Sequence, residues 1–377
     1  MKHRLLLAVV LATAAAALIG AGAASAGDHA ARNAVFVQAN QASGNQIVVY
    51  DRAGDGTLTR AGTYATGGDG GAATPGTESD HLASQGSLVY DSEHRVLLAV
   101  NAGSDTVSAF EVKGDRLTLE SVVPSGGDFP ASIAVHGRLV YVLDAGDAGV
   151  VKGFRLVGHS LRPIPGSARS LGLANTNPPF FLTSPGQVGF TPDGRQLIVT
   201  TKASTSAVEV FRVGRDGLLS DAPVVNASAT PVPFAFTFTP SGRLASGEAG
   251  ASAVSTYAIG SDGTLADPRS LSDNQVALCW IQRVGGVYYV ANTGSNTLSG
   301  YRIADDGQPS LIGATGVVAA TEPGPIDLTS PSAGRFLYGE TGLTGTVDEY
   351  RVNADGTLTK LGVVTGLPPG LEGIAAT

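Results

Sequence analysis

The sequence Asp55-Gly56-Thr57-Leu58-Thr59 returns almost unchanged as Asp262-Gly263-Thr264-Leu265 and again as Asp355-Gly356-Thr357-Leu358-Thr359. The glycine in each copy supplies the positive φ that a tight hairpin turn needs. Short runs rich in β-branched residues flank these turns, and helical periodicity is almost absent. The repeated turn therefore predicts a chain built from antiparallel hairpins.

A second turn joins two other strands of the repeat, as in Pro192-Asp193-Gly194-Arg195 and Pro240-Ser241-Gly242-Arg243. An aromatic residue near the end of the third strand marks each repeat: Tyr50, Phe110, Phe154, Phe211, Tyr257, Tyr301 and Tyr350. These seven positions span 300 residues in six intervals, which gives a mean repeat of 50 residues. Four strands in a repeat of that length indicate the blade of a β-propeller.

The sequence thus predicts an all-β fold, a seven-bladed β-propeller of four-stranded antiparallel blades. The chain after residue 33 opens on a strand of the second type, and residues 372–376 resemble an inner strand. We therefore expect the N- and C-terminal strands to share one blade and close the ring, which removes exposed sheet edges. Cys279 is the single cysteine, so an intramolecular disulfide cannot form this joint.

The first 26 residues are predicted to be a signal peptide. Lys2 and Arg4 give a positive start, an apolar stretch follows, and Ala24-Ser25-Ala26 is typical of a cleavage site. An uncleaved membrane anchor is the alternative, but the apolar stretch is short for a membrane span. We expect one propeller domain over residues 27–377, secreted and with no membrane association after cleavage.

Charge and motifs limit the partners. The chain carries 24 basic and 32 acidic residues, a net charge of −8, and no basic cluster after the first residues, which disfavours nucleic acid binding. Nucleotide-binding, zinc-protease and EF-hand motifs are absent, so no cofactor and no metal ligand set is predicted. A small-molecule ligand fits a propeller channel, and the sequence names no protein partner.

In such a ring, two sets of loops surround one opening of the central channel: those that lead into the inner strands and those that join second and third strands. We call this side the mouth face. Loops on a rigid scaffold are where binding groups usually lie. The candidate catalytic residues there are Glu248, Glu340, Lys202 and His81, and the candidate binding residues are Asp144, Asn101, Asn292, Gln187 and Trp280.

Each candidate also has a structural interpretation. An Asn at the start of a loop often forms the turn itself. Glu248 and Glu340 fit solvated loop positions, Lys202 a surface position, and Trp280 a packing position in the channel.

The repeat resembles the seven-bladed lactonase family, which includes 6-phosphogluconolactonases and the fungal carboxymuconate cyclases. The resemblance is carried by Pro192-Asp193-Gly194-Arg195, by residues 292–302 and by Asp355-Gly356-Thr357-Leu358-Thr359, and it extends over residues 33–377. It implies the propeller fold and an activity that opens or forms a lactone at the channel mouth.

The residues that the resemblance implies for catalysis are not retained. The family has a His in the third inner strand, where this chain reads Pro130-Ala131-Ser132-Ile133. It has an Arg in the fourth, here Ser184-Pro185-Gly186-Gln187, and an acidic residue after the next strand, here Thr201-Lys202. The loop Asp144-Ala145-Gly146-Asp147 does keep a family-like form.

Three functions therefore remain open from the sequence. One is a lactone hydrolase or cyclase with a rebuilt site, in which Glu248 or Glu340 is the general base and Lys202 or His81 holds a carboxylate or oxyanion. Another is a non-catalytic propeller that binds a small molecule, a glycan or a protein. The third is a metal-dependent hydrolase with carboxylates at the channel mouth.

Overall fold

The structure is a computed structural model that describes residues 33–74 and 78–377. The predicted signal peptide, residues 1–26, lies outside the described residues. All described residues belong to one unit, Ala31–Thr377. Within the described ranges, no helix has the length and apolar character needed to cross a membrane.

The described strands form seven antiparallel sheets, as the repeat predicts. Blade 1 contains β1 (Ala34–Gln38), β2 (Gln46–Arg52), β3 (Leu58–Ala65) and, from the far end of the chain, β30 (Ile374–Ala376). Blade 2 contains β4 (Leu88–Asp91), β5 (Val96–Asn101), β6 (Thr106–Lys113) and β7 (Arg116–Pro124). Blade 3 contains β8 (Pro130–His136), β9 (Leu139–Asp144), β10 (Val150–Val157), β11 (Ser160–Pro163) and β12 (Arg169–Ser170).

The remaining four blades repeat this order. Blade 4 contains β13 (Gln187–Phe190), β14 (Gln196–Thr200), β15 (Ala207–Arg212) and β16 (Val224–Ala227), with the one-turn helix α1 (Lys202–Thr205) in its second loop. Blade 5 contains β17 (Pro233–Phe238), β18 (Leu244–Glu248), β19 (Ala253–Ile259) and β20 (Leu265–Ser272). Blade 6 contains β21 (Leu278–Val284), β22 (Val287–Asn292), β23 (Thr297–Ile303), β24 (Pro309–Leu311) and β25 (Val317–Ala320). Blade 7 contains β26 (Pro325–Thr329), β27 (Phe336–Thr341), β28 (Thr346–Val352) and β29 (Leu358–Val364).

The ring closes in blade 1, and the predicted sharing of one blade by the two ends of the chain is confirmed. Strand β30 pairs antiparallel with β1, placing Val35 opposite Ala376 and Val37 opposite Ile374. The backbone N–H of Gln38 donates to the carbonyl of Gly373 at 2.8 Å, which extends the pairing toward the mouth face. Blade 1 therefore gains its inner strand only when the C-terminus docks.

The core lies between neighbouring blades. In the interface of blades 4 and 5, for example, Ile198 and Val210 pack with Phe236 and Tyr257. The third-strand aromatics that revealed the repeat are all buried, with at most 3% of their surface exposed: Tyr50, Phe110, Phe154, Phe211, Tyr257, Tyr301 and Tyr350. The sequence marker is thus a packing residue repeated once per blade.

The repeated Asp-Gly turn has a second role, because neighbouring blades bind to it. Tyr338 of blade 7 donates its hydroxyl to the carbonyl of Gly56 in blade 1 at 2.7 Å. Tyr289 of blade 6 makes the same contact with Gly356 of blade 7 at 2.9 Å. Gly56 has φ +100°, and a Cβ there would lie 2.4 Å from the ring of Phe336. The turn therefore needs glycine for both its conformation and its fit against the next blade.

We predict that Gly56→Ala destabilises the protein by about 1–3 kcal/mol, because the left-handed backbone and the Phe336 ring both oppose a Cβ. The matched control is Gly54→Ala, two residues away, where a Cβ meets no atom within 4 Å. That control should stay within about 0.5 kcal/mol of the wild type. Urea unfolding measures both, and equal losses in the two variants would refute the inter-blade role of this turn.

Candidate functional site

The mouth of the channel is filled by the chain itself. The loop that leads into β4 crosses to the centre of the mouth face, where Leu82, Ala83 and Ser84 are fully buried. The carbonyl of Ala83 accepts a hydrogen bond from Lys202 Nζ of blade 4 at 2.6 Å. The carbonyl of Ser84 accepts one from Trp280 Nε1 of blade 6 at 3.0 Å. This loop, residues 80–85, thus ties several blades together at the axis, and we call it the plug loop.

Lys202 is the buried cation of this region, with 1% of its surface exposed. It occupies the first position of α1 with a positive φ of 45°, and its ammonium lies 4.9 Å from the centroid of the Phe234 ring. Burial lowers the pKa of Lys202 to about 8, although the charges of Asp80 and Glu372 oppose the shift. The expected surface lysine is therefore an interior group.

Two carboxyl groups face each other beside Lys202. Glu372 is fully buried and accepts hydrogen bonds from the backbone N–H groups of Leu82 and Ser84. Asp80 is half-buried and accepts one from the N–H of Ala83 at 2.7 Å. Burial raises the pKa of Asp80 to about 6, and burial with the charge of Asp80 raises the pKa of Glu372 well above its usual range. The pair can therefore hold a shared proton at neutral pH.

His81 lies next to this pair in sequence but packs elsewhere. Its half-buried ring rests on Gly370, where any Cβ would overlap the imidazole. Burial lowers the pKa of His81, which favours the neutral imidazole. A neutral imidazole binds an anion more weakly than an imidazolium cation does. The role of holding a carboxylate or oxyanion, which the sequence suggested for His81, requires the cation.

Glu248 is fully buried inside blade 5 rather than exposed at the channel. One carboxylate oxygen accepts bonds from the N–H of Thr230 at 2.7 Å and the hydroxyl of Ser255 at 2.7 Å. The other accepts the hydroxyl of Tyr257. Burial raises the pKa of Glu248 while these donors lower it. The side chain uses both oxygens to join the loop before β17 to strand β19 of its own blade.

Glu340 is also fully buried, but it lies close to the ring closure and to the axis. One of its oxygens accepts the N–H of Gly373 at 2.9 Å, and the other has no hydrogen-bond partner among the described residues. Burial and the nearby charge of Asp327 raise the pKa of Glu340 well above its usual range. Glu340 is therefore held as a neutral acid next to Asp327.

Asp327 lines a cavity on the axis that the sequence analysis did not identify. This axial cavity has a volume of about 270 Å³, and its polar lining includes Gln85, Gln282, Thr329 and Tyr90. Asp327 is 4% exposed, and its carboxylate accepts the N–H of Leu328 at 2.9 Å. Burial raises the pKa of Asp327 to about 7, and the charge of Asp80 adds to the shift. A carboxyl with this pKa in a cavity is a candidate general base.

The sequence contained one indirect signal for Asp327. Strand β26 reads Pro-Ile-Asp-Leu-Thr, and Ile326 and Leu328 belong to the apolar core of blades 5 to 7. The pairing of β26 with β27 shifts register between Pro325 and Leu328, so simple alternation of side chains does not predict which way Asp327 faces. A lone acid in that position is unusual, but only the ring geometry shows that it faces the axis.

The candidate binding residues occupy separate places in the ring. Asn101 is buried and bonds to Asn45 and Ser108. Gln187, half-buried, accepts the N–H of Phe236 at 2.6 Å. Trp280 is fully buried, with its ring centroid 4.9 Å from that of Phe234. The contacts of Asn101, Gln187 and Trp280 are all with the protein's own groups.

Asn292 and Asp144 end the second strands of blades 6 and 3. Both are fully buried. Asn292 donates to Ser299, whereas burial raises the pKa of Asp144 to about 8 and a hydrogen bond from the hydroxyl of Ser125 opposes the shift.

A possible metal ligand set lies away from the axis, on the outer rim of blades 2 and 3. Across the described residues, Glu111, Glu120 and His159 are the group of three whose ligand atoms lie within 4.8 Å of one another. The ammonium of Lys113 already pairs with Glu111 at 2.7 Å. Among residues 33–74 and 78–377, the carboxyl groups near the mouth do not form such a group.

A larger open groove of about 1090 Å³ lies on the opposite face, between the turns of blades 4 and 5. Its arginine and aspartate side chains form exposed ion pairs, such as that of Arg195 with Asp193. Exposed pairs of this kind contribute little to stability. The groove is larger than the axial cavity, but its lining residues include no buried carboxyl with a raised pKa like that of Asp327.

Comparisons with solved structures identify the fold. A protein from Bacteroides uniformis, provisionally assigned as a 6-phosphogluconolactonase, matches with a TM-score of 0.69 and 18% identity over 90% of this chain and 98% of its own. The periplasmic gluconolactonase PpgL of Pseudomonas aeruginosa matches with a TM-score of 0.66 and 18% identity over 92% and 99%. No protein family and no curated protein matches the sequence. This chain is therefore a seven-bladed propeller similar in fold to lactonase-like propellers.

We predict that the stability of the protein falls as pH rises from about 4 to about 7. Asp327 has a raised pKa, so its contribution is complete below the pKa of the unfolded chain and is lost as pH rises through its folded value near 7. Asp327→Asn should flatten this dependence by up to about 1.4 kcal/mol per pH unit, the amount for one proton.

Urea unfolding at pH 5, 6 and 7 measures the effect. The control is Asp305→Asn on an exposed turn, which should keep the wild-type slope. A wild-type slope in the Asp327→Asn variant would show that Asp327 titrates in its ordinary range.

Proposed function

We propose that this chain is an exported hydrolase that opens a small lactone in the axial cavity. The observation that carries the proposal is Asp327, a nearly buried carboxyl of pKa about 7 that lines a cavity of about 270 Å³. A cavity near the lower end of the usual range for small-molecule sites suits a compact cyclic ester. The exported location rests on the predicted signal peptide, and the similarity in fold to PpgL, a periplasmic gluconolactonase, supports it.

The proposed reaction needs one group that takes and returns a proton. Ionised Asp327 removes a proton from water as the water oxygen attacks the lactone carbonyl. When the tetrahedral intermediate collapses, the ring C–O bond breaks, and protonated Asp327 gives its proton to the departing ring oxygen. Water is consumed, a hydroxy acid is formed, and Asp327 returns to its starting state.

Other groups support Asp327 without touching substrate. Burial and the charge of Asp327 raise the pKa of Glu340 well above its usual range, which favours the neutral acid beside an ionised Asp327. Asp80 and Glu372 extend the acidic cluster toward the mouth, where the ammonium of Lys202 offsets part of their charge. We assign positioning roles to Glu340 and Lys202, whose buried atoms already bind the protein's own backbone. Tyr90 and Thr329 differ from these groups, because they line the cavity and their hydroxyls are candidates to bind the lactone oxygens.

A non-catalytic propeller that binds a small molecule, a glycan or a protein is the second candidate. The plug loop favours it, because Leu82, Ala83 and Ser84 fill the mouth where the resemblance places catalysis. At the positions where the lactonase family has its catalytic residues, this chain has others, such as Ser132 and Gln187. These differences also favour the non-catalytic function. In this case the axial cavity binds a ligand without catalysing its conversion.

We predict that Asp327→Asn lowers kcat/KM for a hydrolysed lactone by at least about 100-fold, the usual effect of removing a general base. The assay is a panel of five- and six-membered sugar and alkyl lactones, followed by proton release. Glu248→Gln is the comparison variant. It should lower thermal stability, because the hydrogen bonds from Ser255 and Tyr257 to the carboxylate are weakened, and it should affect turnover less than Asp327→Asn does.

Two results would contradict the proposal. A panel in which the wild type hydrolyses nothing would favour the binding function. A larger loss of turnover in Glu248→Gln than in Asp327→Asn would indicate that Glu248 of blade 5, and not Asp327, is the general base.

A further inference from the structure

The plug loop closes the channel between the mouth face and the axial cavity. Its last residue, Gln85, lines the cavity. The N–H of Gln85 donates to the carbonyl of Gly186, just before blade 4, at 3.0 Å, and its carbonyl accepts the hydroxyl of Ser132 in blade 3 at 2.6 Å. Its side-chain amide donates to the carbonyl of Ile281 in blade 6 at 3.2 Å and accepts the N–H of the same residue at 3.0 Å. Gln85 therefore seals the mouth end of the cavity.

The cavity lies in the half of the channel that faces away from the mouth. Each inner strand runs from the mouth face to a turn on the opposite face, so its last residues lie near that face. The lining comes from such residues: 88–90 in β4, 328–330 where β26 ends, and Ile374–Ala376, which is β30. Leu88 and Ile374 are buried, with 3% and 4% of their surface exposed. Tyr90, Ser330 and Ala376 lie nearer the turns and are half-buried. The cavity therefore opens toward the opposite face.

The charge of the lining has one sign. Among the described residues that line the cavity, Asp327 is the one charged side chain, and the other polar residues are neutral. The ammonium of Lys202 lies on the mouth side of the Gln85 seal, where it binds the carbonyl of Ala83 at 2.6 Å. The described lining thus offers a carboxylate but no lysine or arginine.

This lining disfavours an anionic ligand. Proteins usually bind phosphates and carboxylates through arginine or lysine side chains. Here a negative charge would meet ionised Asp327 without a cation to offset the repulsion, and like charges repel more strongly inside a protein than in water. An uncharged lactone can instead form hydrogen bonds with neutral groups of the lining, such as those of Tyr90 and Gln282.

We propose that ligands enter the axial cavity from the opposite face of the ring, and that Asp327 makes this entrance selective for uncharged lactones over those that carry a phosphate or a carboxylate. The identity of the ligand as a lactone rests on the proposed function. The entrance and the selection by charge rest on the cavity alone. In this arrangement the plug loop is the closed inner end of the site, which explains why it can fill the mouth without blocking access to Asp327.

The first test measures access with a single cysteine and does not depend on catalysis. Cys279→Ala removes the native cysteine of the full chain, and Gln282→Cys places a thiol in the cavity lining. The thiol is treated at about pH 8 with an uncharged methanethiosulfonate reagent or with its negatively charged sulfonatoethyl analogue. Ser241→Cys, on an exposed turn, replaces Gln282→Cys in the control.

The uncharged reagent should modify the cysteine at position 282. The sulfonate reagent should react at least about 10-fold more slowly than the uncharged one, after correction for the ratio measured at the exposed control, because Asp327 repels it. Adding Asp327→Asn removes that charge and should return the ratio to the control value.

Two further changes distinguish the two ends of the channel. Ala376→Trp narrows the opening on the opposite face and should slow modification at position 282 severalfold. Ser132→Ala removes a hydrogen bond to Gln85 on the mouth side and should leave the rate unchanged. Thermal unfolding checks that each variant folds, and Ser330→Trp is a second blocking variant at the same opening.

The lactone assay then tests the class of substrate. The wild type should hydrolyse an uncharged sugar lactone with a kcat/KM at least about 10-fold above that for the phosphate ester of the same lactone. If neither lactone is hydrolysed while the cysteine rates follow the prediction, the proposed function fails and the entrance stands.

Three results would overturn the inference. Modification that is slowed by neither tryptophan variant, but is faster in Ser132→Ala, would place the entrance at the mouth. Equal corrected rates for the two reagents, or faster hydrolysis of the phosphate ester, would exclude selection by charge. A cysteine at position 282 that reacts with neither reagent would show that the cavity is closed to ligands in solution.

Discussion

The structure depends on three residue pairs between β30 and β1. Val35, Phe36 and Val37 meet the last strand of the chain, and without this pairing blade 1 has no inner strand. The same pairing fixes the residues just before β30. Gly373 donates to Glu340, and Glu372 receives the backbone N–H groups of the plug loop. Ring closure and the placement of the buried acids are therefore one event.

This arrangement concentrates charge that the fold must neutralise. Asp80, Glu372, Asp327 and Glu340 lie near the axis, and Lys202 is the cation among them. Burying several carboxyls is costly unless they are paired, hydrogen-bonded or protonated. Burial raises the pKa of each of these four carboxyls, which favours their protonated forms. Side chains with strongly shifted pKa values cluster at functional sites more often than elsewhere. The axis is therefore the preferred location for a catalytic site.

Much of the fold could be predicted from the sequence, whereas the site could be predicted only in part. The Asp-Gly turns and the third-strand aromatics predicted the number of blades and of strands in each blade, because turn conformation and core packing are local and repeated. Glu248 ends β18 and Lys202 begins α1 in the loop that follows β14. Their burial was not foreseen, because the plug loop and the contacts of Tyr257 come from distant parts of the chain.

Asp327 shows the limit most clearly. Its neighbours Ile326 and Leu328 mark a buried strand, and the sequence holds no sign of the cavity that the other inner strands form around it. Asp144 shows the opposite case. Its loop was recognisable, but the comparison of the blades in register is needed to see that Lys152 takes the place that Ser108 holds in blade 2.

The most direct test of this account is a titration of the carboxyl carbons by NMR in the wild type and in Asp327→Asn. The account predicts a carboxyl signal that titrates near pH 7 in the wild type and is absent from the variant. It also predicts further acids that stay protonated above their ordinary range. If every carboxyl titrates below about pH 5, the axis is solvated and the proposed site does not exist.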